Sequence, residues 1–466
     1  MRPVLTIDFG STYTKVVAVD TDAPRILATA QDFTTAATDL SSGLDKALAK
    51  LHAKTGPMDY VAKLACSSAA GGLRMVAVGL VPVLTAKAAR FAAYGAGAKV
   101  IATYSYELTR ADTEGIRAHR PDIVLLSGGT DGGNKEVILK NARMLAGIEA
   151  DFPVIVAGNR AAQDECVDII AASGKPVYGA DNVMPSLNML NVRPAQDIIR
   201  RVFLERIVLA KGLSTAQELI DGILMPTPAA VLNALTLLAE GTSNRPGLGD
   251  LMAVDVGGAT TDVYSIAKGL PTSPATMLHG LREPRVKRTV EGDIGMRYGA
   301  SGVAEAAGMD ALSEVSGLPA DTITCLLRQI QEDPSLLPQG DELSALDYAL
   351  AVLAVLTGLI RHAGTLTQVY TPMGAVYRQE GKDLTEISRM VVTGGTLIYS
   401  GRSQDIVKTA LQGNDPSALL PRDPVITVDH QYILASMGLL AGYDQAAALD
   451  ILLQQFGKDV DNAAGQ

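Results

Sequence analysis

Short apolar runs that end in an acid and a glycine turn set the rhythm of both halves of this chain. Val4 to Ile7 is strand-like and stops at Asp8-Phe9-Gly10-Ser11-Thr12, after which Thr14 to Asp20 resumes as strand. That pattern predicts a hairpin. Met252 to Ile266 repeats it: Ala253 and Val254 lead into Asp255-Val256-Gly257-Gly258-Ala259-Thr260-Thr261, and Asp262 to Ile266 continues as strand. One such hairpin says little. Two of them, each opening a half of the chain, predict an internal duplication with a cleft between the halves.

Between the hairpins the period changes. Strand-like runs at Met75 to Leu80, Lys99 to Thr103, Asp122 to Leu126, Pro153 to Ala157 and Pro176 to Tyr178 alternate with helical stretches at Leu84 to Tyr94, Arg110 to His119, Glu136 to Ala146 and Ala161 to Ala172. Strands alternating with helices of this length predict βαβ units and a parallel, doubly wound sheet. Ala195 to Leu238 reads as mostly helical, with Pro226 and Pro228 opening a new helix, and the polar, glycine-rich Gly241 to Gly249 reads as a boundary. Leu343 to Tyr370 reads as helix. Met390 to Val392 is a strand entering Thr393-Gly394-Gly395-Thr396, a helical segment follows, and Tyr432 to Leu453 closes the pattern as helix. The expected divisions are 1–73 and 251–430 for the two halves, 74–185 for the inserted α/β module, 186–250 for a helical connection and 431–466 for a C-terminal helix and tail.

Composition narrows the function. With 466 residues, two to four domains are expected. Hydrophobic residues make up 47% and charged residues 19%, which is globular usage. The formal net charge of −10 argues against a general nucleic-acid binder. The basic strip Arg282, Arg285, Lys287 and Arg288 is expected to be a solvated loop. Cys66, Cys166 and Cys325 lie far apart, and the five histidines are scattered, so neither a disulfide scaffold nor a cysteine- or histidine-built metal site is expected. The longest apolar helical stretch, Ala349 to Ile360, is short of the ~20 residues a membrane span needs. With no signal peptide legible after Met1-Arg2-Pro3, a cytoplasmic protein without a membrane partner is expected.

The glycine turns are where chemistry is expected. Backbone N–H groups in a tight turn cradle phosphate, and glycine permits both the dihedrals and the close approach. Gly10, Ser11 and Thr12, with Lys15 nearby, supply one such turn; Gly257, Gly258, Thr260 and Thr261 supply another. Asp8 and Asp255 stand just before the turns, where Mg²⁺ bridging phosphates takes oxygen ligands through water. The bland alternative is two ordinary turns with Asp as turn former. The third glycine signal, Gly394, Gly395 and Thr396 between strand and helix, suits a flat ligand against backbone and favours the phosphate reading. In Arg288 to Arg297, Glu291 and Asp293 flank Gly292. Either is placed to orient an attacking water, and a structural loop is the other reading. Leu125 to Asn134, with paired glycines at Gly128-Gly129 and Gly132-Gly133, is open between an anion site and a βα turn. No Walker-type P-loop, dinucleotide fingerprint or nucleophile elbow is present.

Asp8 to Thr12, Asp255 to Asp262 and Thr393 to Thr396 resemble, in order, the two phosphate motifs and the adenosine motif of the superfamily joining actin, heat-shock chaperones and sugar kinases. More narrowly, the chain resembles the glutamate mutase L family, through Cys66 to Leu73, Leu126 to Asn134, Met225 to Val231 and Arg288 to Tyr298. The resemblance implies an α/β fold: two actin-like (ribonuclease H-like) ATPase halves with an inserted flavodoxin-like module. It implies ATP and Mg²⁺ as cofactors, and adenosylcobalamin-dependent mutase subunits, such as those of glutamate mutase, as partners. The implied role is chaperone-like: ATP hydrolysis drives release of damaged cobalamin. On the reading of the turns and of Arg288 to Arg297, Asp8, Asp255 and Glu291 are the expected catalytic acids. A homodimer stays open. The alternative is a small-molecule kinase of the same superfamily, which needs an acceptor-side general base that no residue declares.

Overall fold

The structure is a computed structural model that describes residues 1–10, 12–34, 40–68, 73–205, 224–372, 374–413 and 415–457. Its first unit comprises Met1–Leu237, Gly280–Pro284 and Ile433–Leu452; its second comprises Leu238–His279, Arg285–Tyr432 and Leu453–Gln466.

The first unit opens with β1 (Pro3–Phe9), β2 (Tyr13–Asp20), β3 (Arg25–Phe33) and β4 (Ala62–Ser67). Next come β5 (Arg74–Gly79), β6 (Lys99–Ser105), β7 (Ile123–Leu126), β8 (Val154–Val156) and β9 (Val177–Gly179), and then β10 (Leu224–Pro226). One sheet has the order β10-β4-β1-β2-β3. β1 pairs with β2, and β2 with β3, antiparallel; β1 pairs with β4, and β4 with β10, parallel. Leu5, Ile7, Phe9, Val16 and Ala18 point into a core shared with Leu44, Ala47 and Leu51 of the helix Leu40–Thr55.

The inserted strands make a separate, all-parallel sheet of order β6-β5-β7-β8-β9. Successive strand side chains face opposite ways, and both faces are covered. Val76, Val78, Val124, Leu126, Val154 and Val156 pack on one side with Ile116, Ile138, Leu145, Cys166 and Ile170 of three helices. Met75, Ala77, Ile123, Leu125 and Ile155 pack on the other with Ala88, Ala92, Ile199 and Phe203 of the helices Lys87–Gly95 and Arg193–Phe203. This is the expected doubly wound module. The chain enters its first helix through a π-turn, Pro82–Ala86.

The second unit repeats the first topology. Its strands are β11 (Leu251–Val256), β12 (Thr261–Ile266), β13 (Thr276–His279), β14 (Val286–Glu291), β15 (Thr365–Thr371), β16 (Gly374–Glu380), β17 (Arg389–Thr393) and β18 (Val425–Val428). The main sheet runs β14-β12-β11-β17-β18. β11–β12 and β12–β14 are antiparallel, β11–β17 and β17–β18 parallel. Strand order and strand sense therefore match β3-β2-β1-β4-β10. The duplication read from the two hairpins is a duplication of whole sheets, and the fold is α/β with two actin-like, ribonuclease H-like sheets and an inserted doubly wound module.

Three sequence expectations change. The helix expected over Leu343 to Tyr370 is Asp341–His362, and the chain then enters β15. Gly364 makes the break: a Cβ there would meet Glu380 O at 2.6 Å, and the β-branched and aromatic run after it favours strand. The closing helix is two helices, Leu434–Tyr443 and Gln445–Phe456. Asp444 between them has extended backbone, and its Oδ1 accepts the Ala447 N–H at 3.0 Å, a side-chain cap for the second helix. The apolar stretch at Ala349 to Ile360 belongs to the longer helix Asp341–His362. By length and composition that helix could cross a membrane, yet 56% of its most apolar window is buried inside the protein. Leu346, Leu350, Ala354, Val355 and Leu359 lie in the core of the second unit.

That helix ends on a buried polar network. His362 is fully buried, with Nδ1 2.8 Å from the Thr289 hydroxyl and Nε2 2.8 Å from the Ser265 hydroxyl. Lys382 Nζ donates to Ser265 Oγ at 3.1 Å, and Lys287 Nζ donates to the His362 carbonyl. Burial first, and then the charges of Lys287 and Lys382, hold the imidazole well below its usual pKa of 6.5. The unfolded chain therefore binds a proton below pH ~6.5 that the folded chain refuses. The resulting stability is present above that pH and is lost on acidification, by up to about 1.4 kcal/mol per pH unit. Melting temperatures measured from pH 7 to 5 will fall more steeply for the parent than for His362→Gln; equal slopes would show that His362 contributes nothing to the acid response.

Candidate functional site: two acid–glycine turns

In the first unit, parallel pairing of β1 and β4 sets Asp8 beside Cys66, and antiparallel pairing sets it opposite Lys15. Asp8 is only 2% exposed. Its Oδ1 accepts the Thr227 hydroxyl at 2.6 Å and the Cys66 thiol at 3.5 Å, while Oδ2 meets the Lys15 ammonium at 3.4 Å. Burial, together with the Asp8 charge, pushes the Cys66 thiol well above its ordinary range and keeps it protonated as a donor. The Gly10 N–H donates to Tyr13 O at 3.0 Å to close the β1–β2 turn. A Cβ on Gly10 would meet that same oxygen at 2.6 Å, so the turn needs glycine. Thr12 is exposed on the turn. Ser11 lies outside the described residues, as do Ala69 to Gly72 of the segment Cys66 to Leu73.

In the second unit, Asp255 is half-buried at the penultimate position of β11, beside Thr393 of β17. The Gly257 N–H donates to Thr260 O at 2.9 Å, the same closure as at Gly10. The loop after β14 braces this turn: the Met296 N–H donates to Gly257 O at 3.0 Å and the Arg297 N–H to Gly258 O at 2.8 Å. Arg297 is itself held by Asp347 Oδ1 at 2.6 Å. Burial raises the Asp347 carboxyl while the Arg297 charge pulls it back. Gly394 has φ +96°, and a Cβ there would meet Val256 O at 2.4 Å and Asp255 Oδ1 at 2.7 Å; nothing lies within 4 Å of the equivalent position on Gly395. The helix Gly395–Tyr399 starts there and carries Thr396. Thr260 is half-buried in the turn. Thr261 is buried at the start of β12, with no hydrogen-bond partner for its hydroxyl among the described residues. Glu291 stands opposite Thr261 in the β12–β14 register and is bound by Arg361 NH1 at 2.7 Å. Arg361 also lies 3.6 Å from the exposed Asp293.

Each acid–glycine turn, taken by itself, carries donor chemistry that suits a magnesium-bound phosphate. Among the described residues no three His, Cys, Asp or Glu side chains form a ready-made metal site. Mg²⁺ suits such a setting, because it keeps several waters and takes one or two carboxylates plus substrate phosphates. Asp8 and Asp255 are carboxylates of that kind. The Cβ positions of Gly10 and Gly394 are filled by the protein's own Tyr13, Val256 and Asp255 atoms, so both turns need glycine, and only the space beside Gly395 is free.

The other glycine segment is tied internally. Gly128, Gly129 and Gly132 have φ of 149°, 71° and 74°. Buried Asn159 accepts the Gly132 N–H at 3.1 Å and donates to Gly133 O at 3.0 Å, and Asn182 donates to Gly129 O at 3.0 Å. These bonds satisfy the βα-turn reading without a ligand. Of the basic strip only Arg282 is exposed in a loop. Lys287 and Arg288 are buried in β14, and Arg285 pairs with Glu240 at 3.0 Å and Asp250 at 2.7 Å.

In the sequence Cys66 and Thr227 lie within longer motifs that give neither a role, and nothing local marks Arg361 as the partner of Glu291. The one local signal was Thr227 standing between Pro226 and Pro228 at a strand-to-helix junction.

Known proteins match the chain over nearly its full length. The model of the family described as MutL protein matches residues 4–456. Protein MutL of Clostridium tetanomorphum is 47% identical over 444 residues, covering 95% of this chain and 96% of its own length. Among solved structures, the ethanolamine utilization protein EutJ of Carboxydothermus hydrogenoformans is similar at 11% identity and a TM-score of 0.31, covering 96% of this chain and 88% of that one. The Plasmodium falciparum glycerol kinase with ADP is similar at 10% identity and a TM-score of 0.36, covering 98% and 93%.

Proposed function

The chain belongs to the MutL protein family, and from that premise we propose that it is an accessory ATPase of an adenosylcobalamin-dependent mutase such as glutamate mutase. One observation carries the nucleotide part: the same sheet occurs twice, and in each the first strand ends in an acid followed by a glycine turn closed by the same backbone hydrogen bond. In this reading Asp8 in the first unit and Asp255 in the second would be the carboxylates offered to Mg²⁺. Backbone at Gly10, Gly257 and Gly258, with Lys15 and the hydroxyls of Thr12 and Thr260, contacts phosphate. The free space beside Gly395, between Gly394 and Thr396, receives the adenosine. Glu291, fixed by Arg361, orients the attacking water. Bound Mg²⁺ supplies neutralisation of the phosphate charge. Hydrolysis then shifts the population of protein states, and a mutase that binds one state better than the other is opened to lose damaged cobalamin.

Isothermal titration of the full chain with ATP, in Mg²⁺ and in EDTA, tests the nucleotide part. The expected result is one ATP per chain, bound more tightly with Mg²⁺. Well-folded protein that binds no ATP would end this reading.

A further inference from the structure

β10 lies parallel to β4 with Met225 beside Cys66, and Asp8 lies beside Cys66 on the other side of β4. The C-terminal ends of the three parallel strands therefore lie together at the same end of the sheet. Pro226 ends β10, and the helix Thr227–Glu240 begins at the next residue. Its first side chain is a hydroxyl, and it lands on Oδ1 of Asp8 at 2.6 Å. That is the length of a charge-assisted O–H···O⁻ bond, among the stronger hydrogen bonds in proteins. The Cys66 thiol reaches the same oxygen at 3.5 Å and the Thr227 oxygen at 3.7 Å. The inner oxygen of a nearly buried carboxylate is thus held from two sides. Oδ2 is turned toward Lys15.

We propose that Thr227 is a positioning residue for the metal-nucleotide: its hydroxyl fixes Oδ1 of Asp8, so the carboxylate cannot rotate and Oδ2 alone is reserved, with Lys15, for Mg-ATP. A carboxylate free to spin exposes either oxygen, and the mobile side chain loses rotamer freedom when metal binds. A carboxylate already clamped has lost that freedom on folding. Thr227 therefore acts on the Mg²⁺-dependent part of binding and not on ATP as such. The assignment rests on the nucleotide-binding reading above.

The test compares the parent chain with Thr227→Val, which keeps shape and removes the hydroxyl, and with Thr227→Ser, which restores the donor. Thr227→Ala serves as a second hydroxyl-free variant if valine prevents folding. Far-UV circular dichroism and melting establish that each is folded, and titration with ATP in Mg²⁺ and in EDTA is the readout. The expected result is a roughly ten- to hundredfold loss of the Mg²⁺-dependent gain in affinity for Val or Ala, the worth of a hydrogen bond to a charged group. ATP affinity in EDTA is unchanged, and Ser restores the parent value to within about threefold, since it returns the same bond. Equal Mg²⁺ dependence in the parent and the hydroxyl-free variants overturns the assignment. So does an equal loss with and without Mg²⁺, which marks a merely structural residue. A parent chain that binds no ATP at all overturns the nucleotide reading itself, and the assignment with it.

Discussion

Asp8→Asn lowers Mg²⁺-dependent ATP turnover by about 100-fold or more, the scale on which removing one preorganised electrostatic group acts, and Asp255→Asn does the same. Each change removes a negative charge and keeps the volume. At Asp8 the amide oxygen can still accept from Thr227, so the clamp on Oδ1 survives, but the amide nitrogen then faces the Lys15 ammonium where Oδ2 stood. Two donors in that position repel, and a small loss of stability is expected alongside the loss of turnover. At Asp255 the backbone is held by the parallel pairing with Thr393, and the volume-conserving change is expected to leave the fold intact. The check is phosphate release under saturating ATP, with circular dichroism to establish folding. Turnover at the parent rate in both variants would show that the acids before the two turns are turn formers only.

The second large effect is on stability. Asp262→Ala is expected to destabilise the second unit by about 3–5 kcal/mol, because it removes the carboxylate of a buried ion pair and leaves Arg288 charged without its counter-ion. Arg288 is 4% exposed, and its Nε and NH2 donate to Asp262 Oδ1 at 2.7 and 2.6 Å. Burial, with Asp262 nearby, also pushes the Tyr264 hydroxyl well above its usual range, so it stays protonated in this setting. The double change Asp262→Leu with Arg288→Met removes both charges at once and is expected to cost far less than Asp262→Ala alone. Urea midpoints followed by far-UV circular dichroism measure the difference; the chain has no tryptophan to report by fluorescence. A single variant as stable as the parent would show that Arg288 finds other compensation.

How much of this was legible in the sequence depends on sequence separation. The hairpins at Asp8 and Asp255 were readable because strand, acid, glycine and strand are all local, and a glycine turn leaves few alternatives. The inserted module was readable because its strands and helices alternate with the right lengths. The duplication was readable only as two similar hairpins; that β4 and β10, and β17 and β18, complete each sheet in the same order came from pairing between distant segments. β10 is three residues long and sits in a stretch whose composition reads as helix. β15 was hidden behind the apolar helix that precedes it, although Gly364 marks the break. The partners of the candidate acids were the least visible. Thr227 is 219 positions from Asp8, and Arg361 is 70 positions from Glu291. No local pattern encodes such a contact; the register of β1, β4 and β10 brings Thr227 to Asp8, and packing of the helix Asp341–His362 against β14 brings Arg361 to Glu291.

The most direct test of the central claim is cobalamin release. Glutamate mutase is loaded with an inactive cobalamin, incubated with this protein and Mg-ATP, and separated from free cofactor; the absorbance of the released cobalamin is then read. The account predicts release that requires this protein, ATP and Mg²⁺ together and that fails with Asp8→Asn. Release to the same extent without ATP, or no release with the folded, ATP-binding protein present, would contradict it.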